Sequence, residues 1–141
     1  MARRIAQTVV MYPWLVYEEH GGAVVGFARA ARFRERPAYQ WSVEVSAYVR
    51  PDAHRQGIGR RLYSALLPIL TTQRFCTAYA GIALPNAASI GLHESMGFAP
   101  VGVFRGAGYK LGAWHDVGWW QRPLRALDVD PALPIPYPLV R

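Results

Sequence analysis

The strongest constraint on the fold of this chain is a short segment, residues 41–49, in which apolar and polar side chains alternate without interruption. Such alternation is typical of a β-strand that has one buried face and one exposed face. The apolar face holds Trp41, Val43, Val45, Ala47 and Val49, and the polar face holds Ser42, Glu44, Ser46 and Tyr48. The segment therefore predicts a two-sided sheet with a carboxylate, that of Glu44, near its middle.

A helix is expected soon after this strand. Pro51 and Asp52 end the strand, and behind Gly57-Ile58-Gly59 the apolar residues recur at helical spacing. They are Ile58, Leu62, Ala65, Leu66, Ile69 and Leu70. Pro68 falls inside this pattern and is expected to kink or shorten the helix, because proline has no N–H to donate.

The remaining predicted elements lie before and after this strand and helix along the chain. Residues 14–31 form two apolar stretches around His20-Gly21-Gly22, which predicts a β-hairpin. Further strands are expected over residues 75–84, 101–104 and 114–124, with a short helix before Gly97. Interleaved strands and helices indicate an α/β or α+β fold with a mixed sheet. We expect one domain, residues 1–129, followed by a tail, residues 130–141, which holds four prolines and should be extended.

Composition narrows the function classes only in part. The 141 residues carry 16 Lys plus Arg against 9 Asp plus Glu, a net charge of +7 in which Lys110 is the one lysine. Guanidinium groups suit carboxylate and phosphate ligands, and nucleic acid as well. No RNA-binding aromatic motif or recognition helix is present, so nucleic acid is not expected as a partner. The single Cys76 fits a reducing compartment, the cytoplasm, and no segment is apolar enough to predict a membrane anchor or a signal peptide.

The glycine segment that precedes the helix is the first candidate binding site. Gly57 and Gly59 let backbone amides approach a ligand closely, and a helix N-terminus favours an anion such as pyrophosphate. Arg55 and Arg60 add positive charge. The segment is neither a dinucleotide fingerprint nor a Walker loop, and taken alone it fits an ordinary loop that leads into a helix better than a binding site.

The glycine loop and its helix are followed along the chain by a predicted strand, by Asn86 and Ser89, and by the run His93-Glu94-Ser95-Met96-Gly97-Phe98. This order of strands, helices and motifs resembles that of the GCN5-related N-acetyltransferases (GNAT). Finer blocks resemble the phosphinothricin and methionine sulfoximine N-acetyltransferases within that superfamily. These blocks are Tyr12-Pro13-Trp14-Leu15-Val16, Ala38-Tyr39-Gln40-Trp41, Leu84-Pro85-Asn86, Met96-Gly97-Phe98-Ala99-Pro100 and Trp114-His115-Asp116-Val117-Gly118. The resemblance implies a GNAT-like mixed, mostly antiparallel sheet flanked by helices, and acetyl-CoA as the co-substrate.

The resemblance gives Glu44 the position of the family's catalytic carboxylate. An α-amino group has a pKa of about 8 and must lose a proton before it can attack a thioester, so a base is needed. The resemblance also implies that the acid is His93, which stands where many superfamily members carry a tyrosine that protonates the leaving thiolate. From the residues alone, a mid-strand glutamate such as Glu44 is usually a solvated surface residue, and His93 could equally be a hydrogen-bonded helix histidine.

The resemblance assigns the coenzyme site to three places in the chain. They are the strand end Ala47, Tyr48 and Val49, the loop Arg55, Gln56, Gly57, Ile58, Gly59 and Arg60, and the amide Asn86. His54 departs from the usual Gln or Arg, which leaves one phosphate contact open. Arg34 and Arg36 match the basic pair that holds the amino-acid substrate, because guanidinium groups bind carboxylate and phosphinate. No metal is expected, and His115 with Asp116 is interpreted as structural or pocket-lining.

The chain departs from the family at its start. Family members begin earlier, with a first strand and helices that complete the sheet edge and wall the substrate pocket, so these elements are expected to be missing here. The resemblance also implies a homodimer. Two alternatives to phosphinothricin or methionine sulfoximine acetylation stay open: acetylation of another amine, and an inactive or regulatory truncated acetyltransferase. Nucleic-acid binding, which the net charge alone suggests, is the least favoured alternative.

Overall fold

The structure, a computed structural model, describes residues 11–140. Within that range the chain forms six strands, two α-helices and three short 3₁₀ turns. In chain order the strands and helices are β1 (Trp14–Glu18), β2 (Val24–Arg32), β3 (Ser42–Val49), α1 (Ile58–Thr72), β4 (Thr77–Ala83), α2 (Ala87–Ser95), β5 (Ala99–Lys110) and β6 (Ala113–Pro123). Expectations about elements at the start of the chain concern residues outside this range.

The six strands form one sheet in the order β1-β2-β3-β4-β6-β5. Every neighbouring pair is antiparallel except β3 and β4, which run parallel. The predicted α/β class with a mixed, mostly antiparallel sheet is confirmed. Of the described helices, neither is long and apolar enough to span a membrane.

The one parallel pair is short, and this opens the sheet. β3 and β4 are in register only at Ser42↔Thr77, Val43↔Ala78 and Glu44↔Tyr79. β3 nevertheless continues to Val49 and β4 to Ala83. Beyond Glu44 the two strands therefore separate, and the edge of β3 that faces β4 loses its strand partner in the middle of the sheet.

The core lies on one face of the sheet, beneath the helices. Val43 and Val45 are buried there, as the alternating pattern predicts, and α1 packs over them through fully buried Tyr63, Leu66 and Leu70. Helix α2 lies against α1 on the same face. The amphipathic pattern of each element thus points its apolar residues into one shared core.

Pro68 does not shorten α1, so that part of the expectation was wrong. The helix continues to Thr72 although Pro68 cannot donate to the preceding turn. Leu67 and Leu70 on either side of the proline are buried, and the Thr71 hydroxyl donates to the Leu67 carbonyl at 3.0 Å. Core packing and a side-chain hydrogen bond hold the last turn in place.

Strand β5 is much longer than the predicted residues 101–104. Its glycines look like strand breakers in the sequence, but Gly106, at φ +57°, forms a bulge. The N–H of Gly106 donates to the Asp116 carboxylate on β6 at 2.8 Å. The bulge is therefore pinned to the neighbouring strand, and β5 resumes beyond it.

The proline-containing C-terminal segment runs without regular structure between residues 129 and 136 and packs back onto the domain. The buried Gln73 side chain donates through Nε2 to the carbonyls of Met11, at 2.7 Å, and Ile135, at 2.8 Å. Tyr137 is buried at the end of this segment. One amide group thus ties the C-terminal segment to the chain that precedes β1.

Candidate active site

Glu44 lies on the sheet face opposite the helices. Its neighbours across the strands are Ala31 on β2 and Tyr79 on β4, and the pair with Tyr79 is the last before β3 and β4 separate. The carboxylate therefore stands at the point where the sheet opens. The adjacent Val43 and Val45 face the core, so the pleat of β3 fixes the direction of Glu44.

The surroundings of Glu44 make it a better base than an exposed carboxylate. Partial burial raises the pKa of its carboxyl group, while the positive charges of Arg34 and Arg29 act in the opposite direction. Neither arginine forms an ion pair with Glu44: the two salt bridges among the described residues are Arg50–Asp52 and Arg125–Asp128. A carboxylate that binds protons more readily than usual is suited to accept one from an amine.

Aromatic rings form the rest of this surface. Phe33 stacks on Tyr79 with ring centroids 4.3 Å apart and meets Trp119 edge-on at 6.4 Å. The Arg34 guanidinium lies 4.2 Å from the centre of the Phe33 ring and 5.9 Å from that of Trp119. Rings rather than a carboxylate hold Arg34, so its charge remains available for an anion.

The two arginines predicted for the substrate are placed differently. Both are exposed, but the Arg34 charge acts on Glu44, whereas Arg36, at the start of the short turn Pro37–Tyr39, is not among the charges that act on Glu44. Sequence reasoning missed Arg29, although it stands two residues before Ala31 and so shares its strand face. It also missed Tyr79 and Trp119, because only the strand order brings β4 and β6 to this place.

The glycine loop presents free backbone N–H groups. Gly57 adopts φ +74°, and α1 begins at the next residue. The described residues supply no hydrogen-bond acceptor for the N–H groups of residues 55–60, whereas the N–H of Arg61 makes the first helical bond, to Gly57, at 3.0 Å. Arg55 and Arg60 are exposed beside these amides. Free amides at a helix N-terminus together with guanidinium groups form a typical anion site.

Gly59 has a second reason to be glycine. A Cβ atom at this position would lie 2.8 Å from Cδ2 of Leu92 on α2, which is closer than real contacts allow. The absent side chain therefore lets α2 pack against the start of α1. Ile58 and Gly59 are both buried, so within the loop they can serve a ligand only through their backbone.

The strand end and Asn86 lie on either side of the opening. Beyond Glu44, Ala47, Tyr48 and Val49 pair with β2 on one edge and with no strand on the other. His54 Nε2 lies 2.8 Å from the Val49 carbonyl and donates to it, so His54 holds the strand end. Asn86 caps α2, and its Oδ1 accepts from the Ser89 N–H at 3.1 Å, while its Nδ2 makes no hydrogen bond within residues 11–140.

His93 lies in the core between α1 and α2, 4% exposed. Its Nδ1 lies 2.7 Å from the Ser89 carbonyl, and its Nε2 lies 2.8 Å from the Tyr63 hydroxyl. A carbonyl can only accept, so Nδ1 carries the hydrogen and Nε2 accepts from Tyr63. Burial lowers the pKa of His93, against the effect of the Ser89 bond, so the ring is neutral. Its acid role stays a prediction.

His115 and Asp116 have structural contacts, in line with their interpretation from the sequence. His115 Nδ1 lies 3.1 Å from the Leu84 carbonyl, and Asp116 holds the bulge of β5. Within residues 11–140 no cluster of three or more His, Cys, Asp or Glu side chains could hold a metal ion.

Comparison with known proteins places this geometry in a family. The family model described as an acetyltransferase (GNAT) domain matches residues 1–119. Phosphinothricin N-acetyltransferase of Streptomyces viridochromogenes is 48% identical over 111 residues, which cover 79% of this chain and 60% of that protein. The L-methionine sulfoximine/L-methionine sulfone acetyltransferase of Pseudomonas aeruginosa is 36% identical over 125 residues, covering 89% of this chain and 70% of that protein.

A solved structure shows the same fold. The GNAT superfamily phosphinothricin acetyltransferase (Pat) of Sinorhizobium meliloti, in complex with acetyl-CoA, superposes with a TM-score of 0.77 at 38% identity. The match covers 86% of this chain and 65% of that one. The chain thus spans about 60% of the length of the first curated relatives. On the family model and on this shared sheet, the chain belongs to the GNAT acetyltransferase domain family.

Proposed function

We propose that this chain is an N-acetyltransferase that moves an acetyl group from acetyl-CoA to the α-amino group of phosphinothricin, methionine sulfoximine or a similar small amino acid. The names of the Streptomyces and Pseudomonas relatives support this substrate class. The acetyl-CoA bound to the Sinorhizobium protein supports the donor. The observation that carries the proposal is the half-buried Glu44 at the opening of the sheet, with a raised pKa and two arginines in range.

The residues around the opening fit acetyl-CoA, which supplies the acetyl group as a thioester. The free N–H groups of residues 55–60, with Arg55 and Arg60, would hold its pyrophosphate. The unpaired edge of residues 47–49 would bind the pantetheine arm as an added strand would, and Nδ2 of Asn86 is free to donate to it. The N–H groups of residues 55–60 and Nδ2 of Asn86 have no partner within residues 11–140, whereas on the strand edge the Val49 carbonyl already accepts from His54.

We propose that Glu44 is the general base. The amine substrate arrives mostly protonated at neutral pH, and Glu44 takes that proton directly or through a water. Because the pKa of Glu44 is raised, it lies closer to the pKa of the substrate ammonium group, and this eases the proton transfer. Arg34 stands beside Glu44 with its charge unpaired and would bind the substrate carboxylate, while the exposed Arg36 would add long-range attraction.

We also propose that His93 supplies the proton for the leaving thiolate. Its neutral ring holds one N–H, at Nδ1, and accepts from Tyr63 at Nε2. The same contacts tie α1 to α2, so a variant of His93 must be tested for stability as well as for turnover.

We propose a homodimer in the cytoplasm as the working form. Strand β5 is at the edge of the sheet, and its side chains are exposed along almost its whole length. Apolar residues at and near the β5–β6 turn are open, with Leu111 97% and Trp114 69% exposed. An apolar edge strand favours pairing with another surface. The lone, buried Cys76 supports a reducing compartment.

The experiment is an acetyl-transfer assay on the chain with acetyl-CoA and a panel of amino acids and other amines. We expect wild-type protein to acetylate phosphinothricin or methionine sulfoximine and Glu44→Gln to lower kcat by about 100- to 10,000-fold. Glu19→Gln is the matched control, because Glu19 is exposed in the β1–β2 turn, and it should leave kcat unchanged. Wild-type protein that acetylates no amine, or full activity in Glu44→Gln, would contradict the proposal.

A further inference from the structure

A second arginine, Arg29, lies on the same sheet face as Glu44. In the register of β2 with β3, Ala31 stands opposite Glu44 and Arg29 opposite Ser46. Residues two apart on a strand share a face, and so do residues opposite each other on paired strands. Arg29 is therefore a diagonal neighbour of Glu44, displaced along β3 toward the end where β3 and β4 are separate.

Among the residues that the structure describes, Arg29 also has no carboxylate partner. Its guanidinium lies 5.4 Å from the centre of the Trp14 ring on β1, the strand next to β2. The ion pairs within residues 11–140 are formed by other arginines, Arg50 and Arg125. A cation that rests on an aromatic ring is held in place without being neutralised. Arg29 is thus a fixed positive charge on the face that carries Glu44.

The two arginines stand on opposite sides of Glu44. Arg34 rests on Phe33 and Trp119, toward β4 and β6, whereas Arg29 rests on Trp14, toward β1. Both charges reach Glu44, because each acts on the pKa of its carboxyl group. Counted together, Arg29, Arg34 and Glu44 bring two guanidinium groups and one carboxylate, so these three side chains carry one positive charge in excess.

The excess charge has a consequence for the choice of substrate. A small amino acid brings one ammonium group, which must meet Glu44, and one α-carboxylate, which one guanidinium can bind in a bidentate manner. The other guanidinium is then left without an anionic partner. A second anion on the substrate would satisfy it.

We propose that Arg29 is a specificity-determining residue that makes this site favour small amino acids with an anionic side chain, such as a phosphinate or a carboxylate, over neutral ones of similar shape. The inference rests on the proposed function and names its substrate class more narrowly. Phosphinothricin, whose side chain ends in a phosphinate, belongs to the favoured class, and methionine sulfoximine, whose side chain is uncharged, does not.

The test compares these two substrates in wild-type protein and in Arg29→Gln. We expect wild-type kcat/KM to be higher for phosphinothricin, and we expect Arg29→Gln to lower that value by about 10- to 100-fold, the range for a lost charge-assisted hydrogen bond. The value for methionine sulfoximine should change by less than about threefold. An altered Glu44 pKa affects both substrates equally and cancels in the ratio, so only a direct contact with the side-chain anion changes it.

Arg32→Gln is the matched control. It removes the same charge from the same strand, but Arg32 pairs with the core-facing Val43 and is exposed at the end of β2, so the ratio should stay at its wild-type value. Arg29→Lys keeps the charge without the planar guanidinium and should retain part of the preference. A ratio that is unchanged in Arg29→Gln, or an equal loss with both substrates, would overturn the proposal.

Binding separates this proposal from the proposed function. Calorimetric titration needs no turnover, and wild-type protein should bind phosphinothricin more tightly than methionine sulfoximine, with the difference lost in Arg29→Gln. If wild-type protein binds with this preference but does not acetylate, the acetyltransferase proposal fails and the role of Arg29 stands. If it acetylates both substrates with no preference, the role of Arg29 fails alone.

Discussion

The two faces of the sheet treat their polar groups in opposite ways. On the helix face, His93 is closed in and both of its ring nitrogens are bonded, to Ser89 and Tyr63. On the other face, Arg29 and Arg34 lie over aromatic rings, and neither they nor Glu44 form an ion pair with any residue in the range 11–140. The buried His93 ring has its hydrogen bonds satisfied, whereas the arginines of the other face keep their charges available for a ligand.

Burial acts on one titratable group of each face, with different results. It raises the pKa of Glu44 and lowers that of His93, because in both cases it disfavours the charged form. For the carboxyl group, the shift moves the pKa toward neutral pH, where a general base works best. For the imidazole, the shift fixes the neutral ring. The same physical effect therefore activates Glu44 and holds His93 as a neutral hydrogen-bonding group.

The largest expected contrast between the faces is in stability. Leu66→Ala on the helix face should lower the free energy of unfolding by about 2–5 kcal/mol, because it leaves a cavity in a fully buried site. Glu44→Gln should raise stability at neutral pH. The folded state raises the Glu44 pKa, so ionisation of this group costs stability above its unfolded pKa, and glutamine removes that cost.

Chemical denaturation at neutral pH measures both changes. Equal losses of stability in Leu66→Ala and Glu44→Gln would show that Glu44 belongs to the structural core, and the contrast between the faces would fail.

The next effect in size tests whether His93 has only a structural role in the core or also a role in catalysis. His93→Ala should lower kcat by about 100-fold or more if the ring donates a proton, and it should also destabilise the fold, because the Tyr63 hydroxyl loses its partner. Tyr63→Phe is the control for stability: it removes the hydroxyl from this hydrogen bond and keeps His93. Turnover is measured well below each variant's midpoint of thermal unfolding. A normal kcat in folded His93→Ala would contradict the acid role and would leave His93 with only a structural role between α1 and α2.

The smallest effect concerns pH. The Arg34 charge lowers the pKa of Glu44, so Arg34→Gln should raise it further. A base works only when it is deprotonated, so kcat/KM falls as the pH drops through this pKa. The acidic limb of the kcat/KM profile should therefore lie at higher pH in Arg34→Gln than in the wild type. A limb that stays in place would mean that Arg34 and Glu44 do not interact in the working enzyme.

The sequence predicts local features of this molecule well. Alternation over residues 41–49 places Val43 and Val45 in the core and Glu44 on the open face, because the pleat of a strand allows no other arrangement. Glycine at 57 and 59 predicts the loop that leads into α1. These features depend on neighbours along the chain, which the sequence states directly.

Features that depend on strand order could not be predicted in this way. Tyr79 and Trp119 join Phe33 only because β4 and β6 lie side by side, and the sequence alone does not give that order. The long β5 was missed because the sequence does not show that Asp116, on the neighbouring strand, holds the bulge at Gly106. Pro68 failed as a helix terminator because tertiary packing outweighed its local cost.

The most direct test of the central claim, that Glu44 serves a thioester seated where β3 and β4 separate, is a crystal structure of the chain with acetyl-CoA. We expect the pyrophosphate at the N–H groups of residues 55–60 and the acetyl group in the opening beyond the Glu44–Tyr79 pair, within reach of an amine that contacts the carboxylate. Coenzyme bound elsewhere, or an acetyl group separated from Glu44 by the sheet, would contradict the account.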